Sequence, residues 1–209
     1  DARTENTTYY TATANSLDPE CGGNPAWQDL VCVVETGEVT PSSKTWVESY
    51  DARLNAAIVN EYSSGVLSRT SSSSYLADNR LDYSIVSAPG AVSIKTKHFY
   101  DPVSLLEVKA QLFYGNAYQS ETVKTYDAWG RPLTETNSLG DVTSTTYVAP
   151  GSLGAGNVAS VISPKTTTNY TFGSVTDPRA VITSMTVSNN DFSYQYTGVY
   201  DQFGRLVTQ

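Results

Sequence analysis

The chain has 209 residues, of which 21 are acidic and 13 basic, giving a net charge of −8. It contains 15 tyrosines, much Ser and Thr and a single Met, a composition that suits pleated strands and turns better than long amphipathic helices. The sequence has no Lys/Arg cluster and no apolar run of about 18–20 residues, which argues against nucleic-acid binding, docking to anionic membranes and a membrane span.

Short strand-like segments recur along the chain, and many of them alternate with a period of two. In the segment Ala91–Tyr100, the side chains of Val92, Ile94, Thr96 and His98 are expected to share a face. Gly, Pro, Asn and Ser mark turns between the segments. The sequence therefore predicts an all-β fold in which antiparallel β-hairpin repeats form a continuous twisted sheet. The predicted strands are Thr7–Ala12, Lys44–Tyr50, Ala91–Tyr100, Leu106–Tyr114, Glu121–Tyr126, Val142–Val148, Thr166–Phe172, Ala180–Val187 and Phe192–Tyr200.

Two segments lack a strand pattern. The polar, Ser-rich stretch Ser68–Tyr83 is interpreted as a loop or a ragged edge. The second segment is a loop near residues 18–32 that is rich in Gly, Asn and Pro. The only two cysteines, Cys21 and Cys32, bracket its main part, CGGNPAWQDLVC. A disulfide would stabilise such a loop by about 2–3 kcal/mol. Two free thiols in a reducing compartment are the alternative, and the acidic Ser/Thr/Tyr-rich composition favours the disulfide.

An internal repeat links two segments, YDAWGRPLTET from residue 126 and YDQFGRLVTQ from residue 200. Each copy predicts a hairpin, because Tyr ends a strand with its hydroxyl free for a partner and Asp binds backbone amides ahead of it. Gly then supplies a positive φ, and Arg offers its guanidinium to a carboxylate. Looser copies, with the Tyr-Asp pair alone, begin at Tyr50 and Tyr100. The repeat residues are Tyr126, Asp127, Gly130, Arg131, Leu133, Tyr200, Asp201, Gly204, Arg205 and Leu206.

The YDxxGRL pattern, with a period near 21 from Tyr126 to Tyr147, resembles the Rhs/YD repeat of bacterial secreted, wall-associated and polymorphic-toxin proteins. The resemblance implies a long β-strip that spirals into a shell around a toxin or effector. Residues 1–209 are then expected to be one repeat-sheet segment of a longer chain. Its expected partners are flanking repeats and a C-terminal effector of the same parent chain.

Enzymatic signatures are weak. A lone histidine, His98, more often serves as a polar face residue than as a general base. The run Gly154–Ala159 mimics a dinucleotide fingerprint but lacks the strand-before, helix-after context that the fingerprint needs, so a turn is expected. Two Cys and one His do not supply the roughly four ligands of a zinc site. We expect no catalytic residue, no metal and no cofactor.

Two functions remain open. The first hypothesis is a non-enzymatic structural segment of a secreted or wall-associated protein, forming part of a β-shell or surface fibre. The alternative is a carbohydrate-binding surface module, in which exposed rings stack on cell-surface glycans. Its candidate stacking residues are Trp27, Trp46 and Trp129, of which Trp129, at a predicted hairpin tip, is expected to be the most exposed.

Overall fold

The computed structural model describes residues 5–36, 42–174, 177–201 and 205–208, and within them it is all-β apart from two single-turn 3-10 helices, Pro19–Cys21 and Pro25–Trp27. No helix in these ranges has the length and apolar character needed to cross a membrane. The strands are β1 Glu5–Tyr9, β2 Val31–Thr36, β3 Ser43–Tyr50, β4 Ala56–Ser63, β5 Val66–Tyr75, β6 Leu81–Ser87, β7 Ile94–Tyr100, β8 Glu107–Tyr114, β9 Ala117–Tyr126, β10 Pro132–Asn137, β11 Val142–Tyr147, β12 Val158–Ile162, β13 Thr167–Ser174, β14 Asp177–Ser188, β15 Ser193–Thr197, β16 Val199–Tyr200 and β17 Leu206–Thr208.

Strands β1 to β15 are hydrogen-bonded in chain order as a single sheet, and β16 pairs with β17 separately. The ladders are antiparallel, as short hairpin connections require. The predicted all-β sheet of consecutive antiparallel hairpins is therefore confirmed. The chain nevertheless divides into two compact units, unit 1 with Asp1–Phe99 and Ala110–Ser120, and unit 2 with Tyr100–Lys109 and Glu121–Gln209.

The interpretation of Ser68–Tyr83 as a loop is wrong, because most of this stretch belongs to β5 and β6. Serine favours strands only weakly when taken alone, but packing against neighbouring strands can override the preference of a single residue type. Here β5 is paired on both sides, and Ser72 lies directly between Ile58 of β4 and Ile85 of β6. Only residues 76–80 form a loop, in which Asn79 adopts a φ of 68°.

The fully buried hydrophobic side chains of the described residues form one cluster in unit 1, made of Tyr10, Cys21, Cys32 and Val33. The predicted disulfide is present, with the Cα atoms of Cys21 and Cys32 5.7 Å apart. It fastens the segment between β1 and β2, in which the Tyr10 amide donates to the Leu30 carbonyl at 2.8 Å.

In unit 2 the pairing register separates two chemically different faces of β11 to β15. Directly opposed residues share a face and successive residues alternate between faces. One face carries a row of uncharged polar side chains, Thr146, Ser160, Asn169, Thr186 and Gln195. The other face carries two more apolar rows, Val161, Thr168, Val187 and Tyr194, and Tyr170, Met185 and Tyr196.

Candidate functional site

The loop between β9 and β10 holds the first full repeat motif, and its residues act as the sequence predicts. The Asp127 amide donates to the Arg131 carbonyl and the Gly130 amide donates to the Asp127 carbonyl, both at 3.0 Å. The Asp127 carboxylate accepts the amides of Trp129 and Arg131 through Oδ1, each at 2.9 Å. Gly130 has a φ of 79° and completes a five-residue loop with a bulge at its base.

The carboxylate and the guanidinium at the two ends of this loop are paired. Arg131 donates from Nε to Oδ2 of Asp127 at 2.7 Å. Partial burial alone would raise the pKa of Asp127, but hydrogen bonds from the amide and side chain of Arg131 and from the Trp129 amide outweigh it and lower the pKa below its ordinary value. Asp127 is therefore held ionised, as a structural acceptor rather than as a general acid.

The same closure occurs in loops whose sequences depart from the motif. In each, the first residue's amide binds the last residue's carbonyl, and the penultimate residue's amide binds the first residue's carbonyl. The penultimate residue always has a positive φ, including in the non-glycine cases. Five-residue loops of this kind are residues 51–55, 76–80, 127–131 and 137–141, and longer versions are residues 101–106 and 148–157.

A tyrosine clamp accompanies several of these loops. The tyrosine that ends one strand donates its hydroxyl to the backbone carbonyl of the first residue of the preceding strand. Tyr126 binds the Glu107 carbonyl at 2.6 Å in this way. The other clamps are Tyr50 to Val31 at 2.7 Å, Tyr75 to Ala56 at 3.4 Å and Tyr147 to Pro132 at 2.8 Å. The clamp explains why these four positions hold tyrosine and not phenylalanine, since only tyrosine has the hydroxyl.

The second motif copy is described in part. Tyr200 ends β16, and the Asp201 amide donates to the Arg205 carbonyl at 3.0 Å. Arg205 donates from Nε to Asp201 Oδ2 at 2.7 Å, repeating the pair of the first copy, and Leu206 begins β17. Gly204 lies outside the described residues.

Trp129, at the tip of the first motif loop, is 71% exposed, and its expected exposure is thus confirmed. The Arg131 guanidinium carbon lies 4.7 Å from the centroid of the Trp129 ring and 4.1 Å from that of Tyr147. Arg131 also donates to the Gly156 carbonyl at 3.3 Å. These contacts hold the guanidinium between two aromatic rings, so the indole rests on a fixed support.

A groove of about 670 Å³ opens beside this loop within unit 2. Leu106, Val108 and Trp129 give it an apolar part, and Asp101, Ser104 and Lys124 a polar one. The Lys124 ammonium lies 3.0 Å from Glu107 Oε1, and this hydrogen bond raises the pKa of Lys124. Asp101 Oδ1 accepts the amides of Val103 and Ser104 at 3.0 and 2.7 Å. The groove is the candidate functional site.

The other two candidate tryptophans do not line this groove. Trp27 and Trp46 lie in unit 1, partly buried against the disulfide cluster. The Trp27 ring centroid is 5.2 Å from that of Tyr10 and 5.8 Å from that of Tyr50, in edge-on or tilted geometry. Their part in glycan stacking stays a prediction, but both rings are engaged in packing.

The features weighed for enzymatic chemistry have structural positions. His98 lies within β7, and the run from Gly154 to Ala159 passes from a loop into β12, without the helix that a dinucleotide site needs. Within the part of the chain that the structure describes, no three His, Cys, Asp or Glu side chains come together as a metal site.

Sequence reasoning missed Asp101, Ser104 and Lys124 as groove residues, because they come from a loop and a strand about 20 residues apart. The available signal was the Tyr100-Asp101 echo of the motif, which places a second loop beside the first. Comparison with known proteins adds no further identification. No protein-family model matches the chain, and none of the curated proteins compared with it matches either.

Proposed function

We propose that this chain is a non-enzymatic structural segment of a longer secreted YD-repeat protein, in which the sheet encloses or presents a toxin or effector. The observation that carries the proposal is the repetition of one closed hairpin loop along the chain, with tyrosine clamps at four of the hairpins. Each hairpin contacts its neighbours in sequence, which is how repeat proteins extend a surface.

The distribution of buried residues supports a segment that is covered by something else. The fully buried hydrophobic side chains among the described residues all lie in unit 1. In unit 2 the apolar face of β14 and β15 remains open, with Tyr194 60% and Tyr196 44% exposed. An apolar sheet face is normally buried against another layer. We assign this face to the enclosed side and the hydroxyl-rich face to the solvent side.

The disulfide supports the extracellular part of the proposal. A buried disulfide between Cys21 and Cys32 is compatible with an oxidising compartment, where such bonds form and persist. The acidic, hydroxyl-rich composition is in keeping with secretion or with association with the cell wall.

The test uses the natural full-length polypeptide that contains this chain. Limited digestion with proteinase K should leave the part that follows residue 209 intact, and deletion of residues 1–209 should make that part sensitive. Val187→Glu places a charge on the apolar face and should also increase the sensitivity. Thr186→Glu, one residue away on the opposite face, is the matched control and should leave the digestion pattern unchanged.

Two results would contradict the proposal. One is an equal rate of digestion in the intact polypeptide and in the deletion variant. The other is an equal effect of the two Glu substitutions, because it would mean that neither face of β14 is an enclosed side. Circular dichroism of each variant shows whether the sheet itself has been lost.

A further inference from the structure

Trp129 is unusual among the tryptophans because its ring is both exposed and rigidly supported. A large aromatic side chain at a loop tip normally costs conformational entropy when it binds a ligand, and a support that fixes the ring beforehand reduces this cost. Arg131 provides such support by lying over the ring at 4.7 Å, by pairing with Asp127 and by lying over Tyr147. The guanidinium covers one face of the indole, and the 71% exposure of Trp129 leaves the other face open.

The groove beside the ring combines this platform with hydrogen-bonding groups. Asp101 uses Oδ1 to accept hydrogen bonds from its own loop, and none of those bonds involves its Oδ2. Lys124 donates to Glu107 through its ammonium, which has three N–H groups in all. A polar acceptor and a polar donor beside an aromatic face are complementary to a ligand with one apolar C–H face and several hydroxyl groups.

Two charged groups that line the groove are paired inside the protein, and the carboxylate of a third, Asp101, accepts hydrogen bonds from amides of its own loop. Lys124 is matched by Glu107 at 3.0 Å, and Asp127 by Arg131 at 2.7 Å. An anionic ligand would compete with Glu107 for Lys124, and a cationic ligand would compete with Arg131 for Asp127. A neutral ligand avoids both competitions, because hydroxyl groups can bind beside intact ion pairs.

From these observations we propose that the groove lined by Trp129, Asp101 and Lys124 binds neutral oligosaccharides. A sugar ring stacks its C–H face on the free face of the Trp129 indole. Its hydroxyl groups donate to Asp101 Oδ2 and accept from Lys124 Nζ. The groove, at about 670 Å³, has a volume typical of small-molecule sites. This site is independent of the structural role, since a shell segment needs no ligand on its loop edge.

The test is a titration of the purified chain with neutral tri- to pentasaccharides of glucose, galactose, mannose and N-acetylglucosamine, followed by calorimetry. Sulfated and uronic-acid oligosaccharides of the same length are titrated in parallel. We expect saturable binding of at least one neutral series, with an affinity that changes little between low and high salt, because no net charge is recognised. Trp129→Ala should raise the Kd by about tenfold or more, through loss of the stacked ring.

Leu139→Ala is the matched control. Leu139 is an exposed apolar residue, 87% accessible, in the closed loop at residues 137–141, at the other end of β10 from Trp129. Its replacement should leave the Kd unchanged. If Trp129→Ala fails to fold, iodide quenching of the wild-type tryptophan fluorescence replaces it. Bound sugar should then protect the exposed Trp129 from quenching.

The proposal is overturned by an absence of binding to the neutral series at millimolar concentrations. It is equally overturned by binding restricted to the sulfated or uronic-acid series with a strong salt dependence, since a charged ligand would then be recognised. Unchanged affinity in a folded Trp129→Ala variant, or unchanged iodide quenching in the presence of sugar, would also exclude the site.

Discussion

Loss of the Cys21–Cys32 disulfide should destabilise the disulfide cluster of unit 1 selectively. The two cysteines are 11 residues apart, and the loop-closure entropy that their crosslink removes from the unfolded chain corresponds to about 3 kcal/mol at 25 °C. Reduced wild-type chain isolates this contribution, because both sulfur atoms remain. The double variant with Cys21→Ala and Cys32→Ala also loses buried sulfur contacts, which adds about 1–2 kcal/mol in total.

Hydrogen exchange measures the effect where it should occur. The Tyr10 amide donates to the Leu30 carbonyl between β1 and β2, inside the region that the disulfide fastens. Its protection factor should fall about 100-fold in the reduced chain, the equivalent of about 3 kcal/mol. The amide of Met185, in β14 of unit 2, is the internal control and should keep its protection. Complete reduction is verified by an increase of two hydrogens in the intact mass.

The reasoning is refuted if the Tyr10 amide loses less than about threefold of its protection, because the crosslink would then contribute almost nothing. It is refuted in another way if Met185 loses protection to the same extent. That outcome would show that the sheet unfolds as one cooperative unit and that the disulfide stabilises all of it.

Three further predictions concern the closed loops. Tyr126→Phe should lower the free energy of unfolding by about 1–2 kcal/mol, measured by denaturant titration, because the part-buried hydrogen bond to the Glu107 carbonyl is lost. Leu54→Gly should raise it by about 0.5–1 kcal/mol, since Leu54 has a φ of 67°, in the region that favours glycine. Asp127→Asn should reduce the acid sensitivity of the fold. The folded-state pKa of Asp127 is lowered, so its stabilising contribution is present above the unfolded pKa of about 4 and is lost as the pH falls through the folded value.

Each of these has a control and a contrary outcome. Tyr118→Phe removes a hydroxyl from an aromatic residue that is half exposed in β9, and an equal loss in both Phe variants would argue against the clamp. Gly130→Ala is the reverse of the Leu54 substitution and should be destabilising. If both substitutions leave the free energy of unfolding unchanged, positive φ is not a constraint in these loops. An unchanged acid unfolding midpoint in Asp127→Asn would mean that the carboxylate is not a stabilising acceptor.

The sequence predicted the contacts that close the first motif loop well, because these contacts are made between residues of the loop itself. Asp127, Gly130 and Arg131 lie within five positions, and their roles follow from side-chain length, positive φ and charge. The same loop was not predicted at residues 76–80, where Leu76 replaces the acid and Asn79 the glycine. There the acid that accepts the amide and guanidinium of Arg80 is Asp78, two positions later than the aspartate of the motif, so the motif pattern does not identify the loop.

The long-range features were harder to predict. β5 was missed because its serines look like a loop until the register places Ser72 between two isoleucines. The groove residue Lys124 appeared only as one member of an alternating strand, since its partner Glu107 comes from the preceding strand. The tyrosine clamps likewise join residues 15–19 positions apart, a separation at which no sequence pattern identifies a carbonyl acceptor.

The two backbone hydrogen bonds that close each loop set the strand pairing at its base, whatever the length of the loop. Loop 127–131 and loop 148–157 differ twofold in length, yet both end in the same two backbone hydrogen bonds, and Tyr126 and Tyr147 anchor the strands that lead into them. Insertions at the tip of such a loop leave the strand pairing below it unchanged. The chain therefore has built-in positions where evolution, or a protein engineer grafting a peptide epitope, can vary sequence and length without redesigning the scaffold.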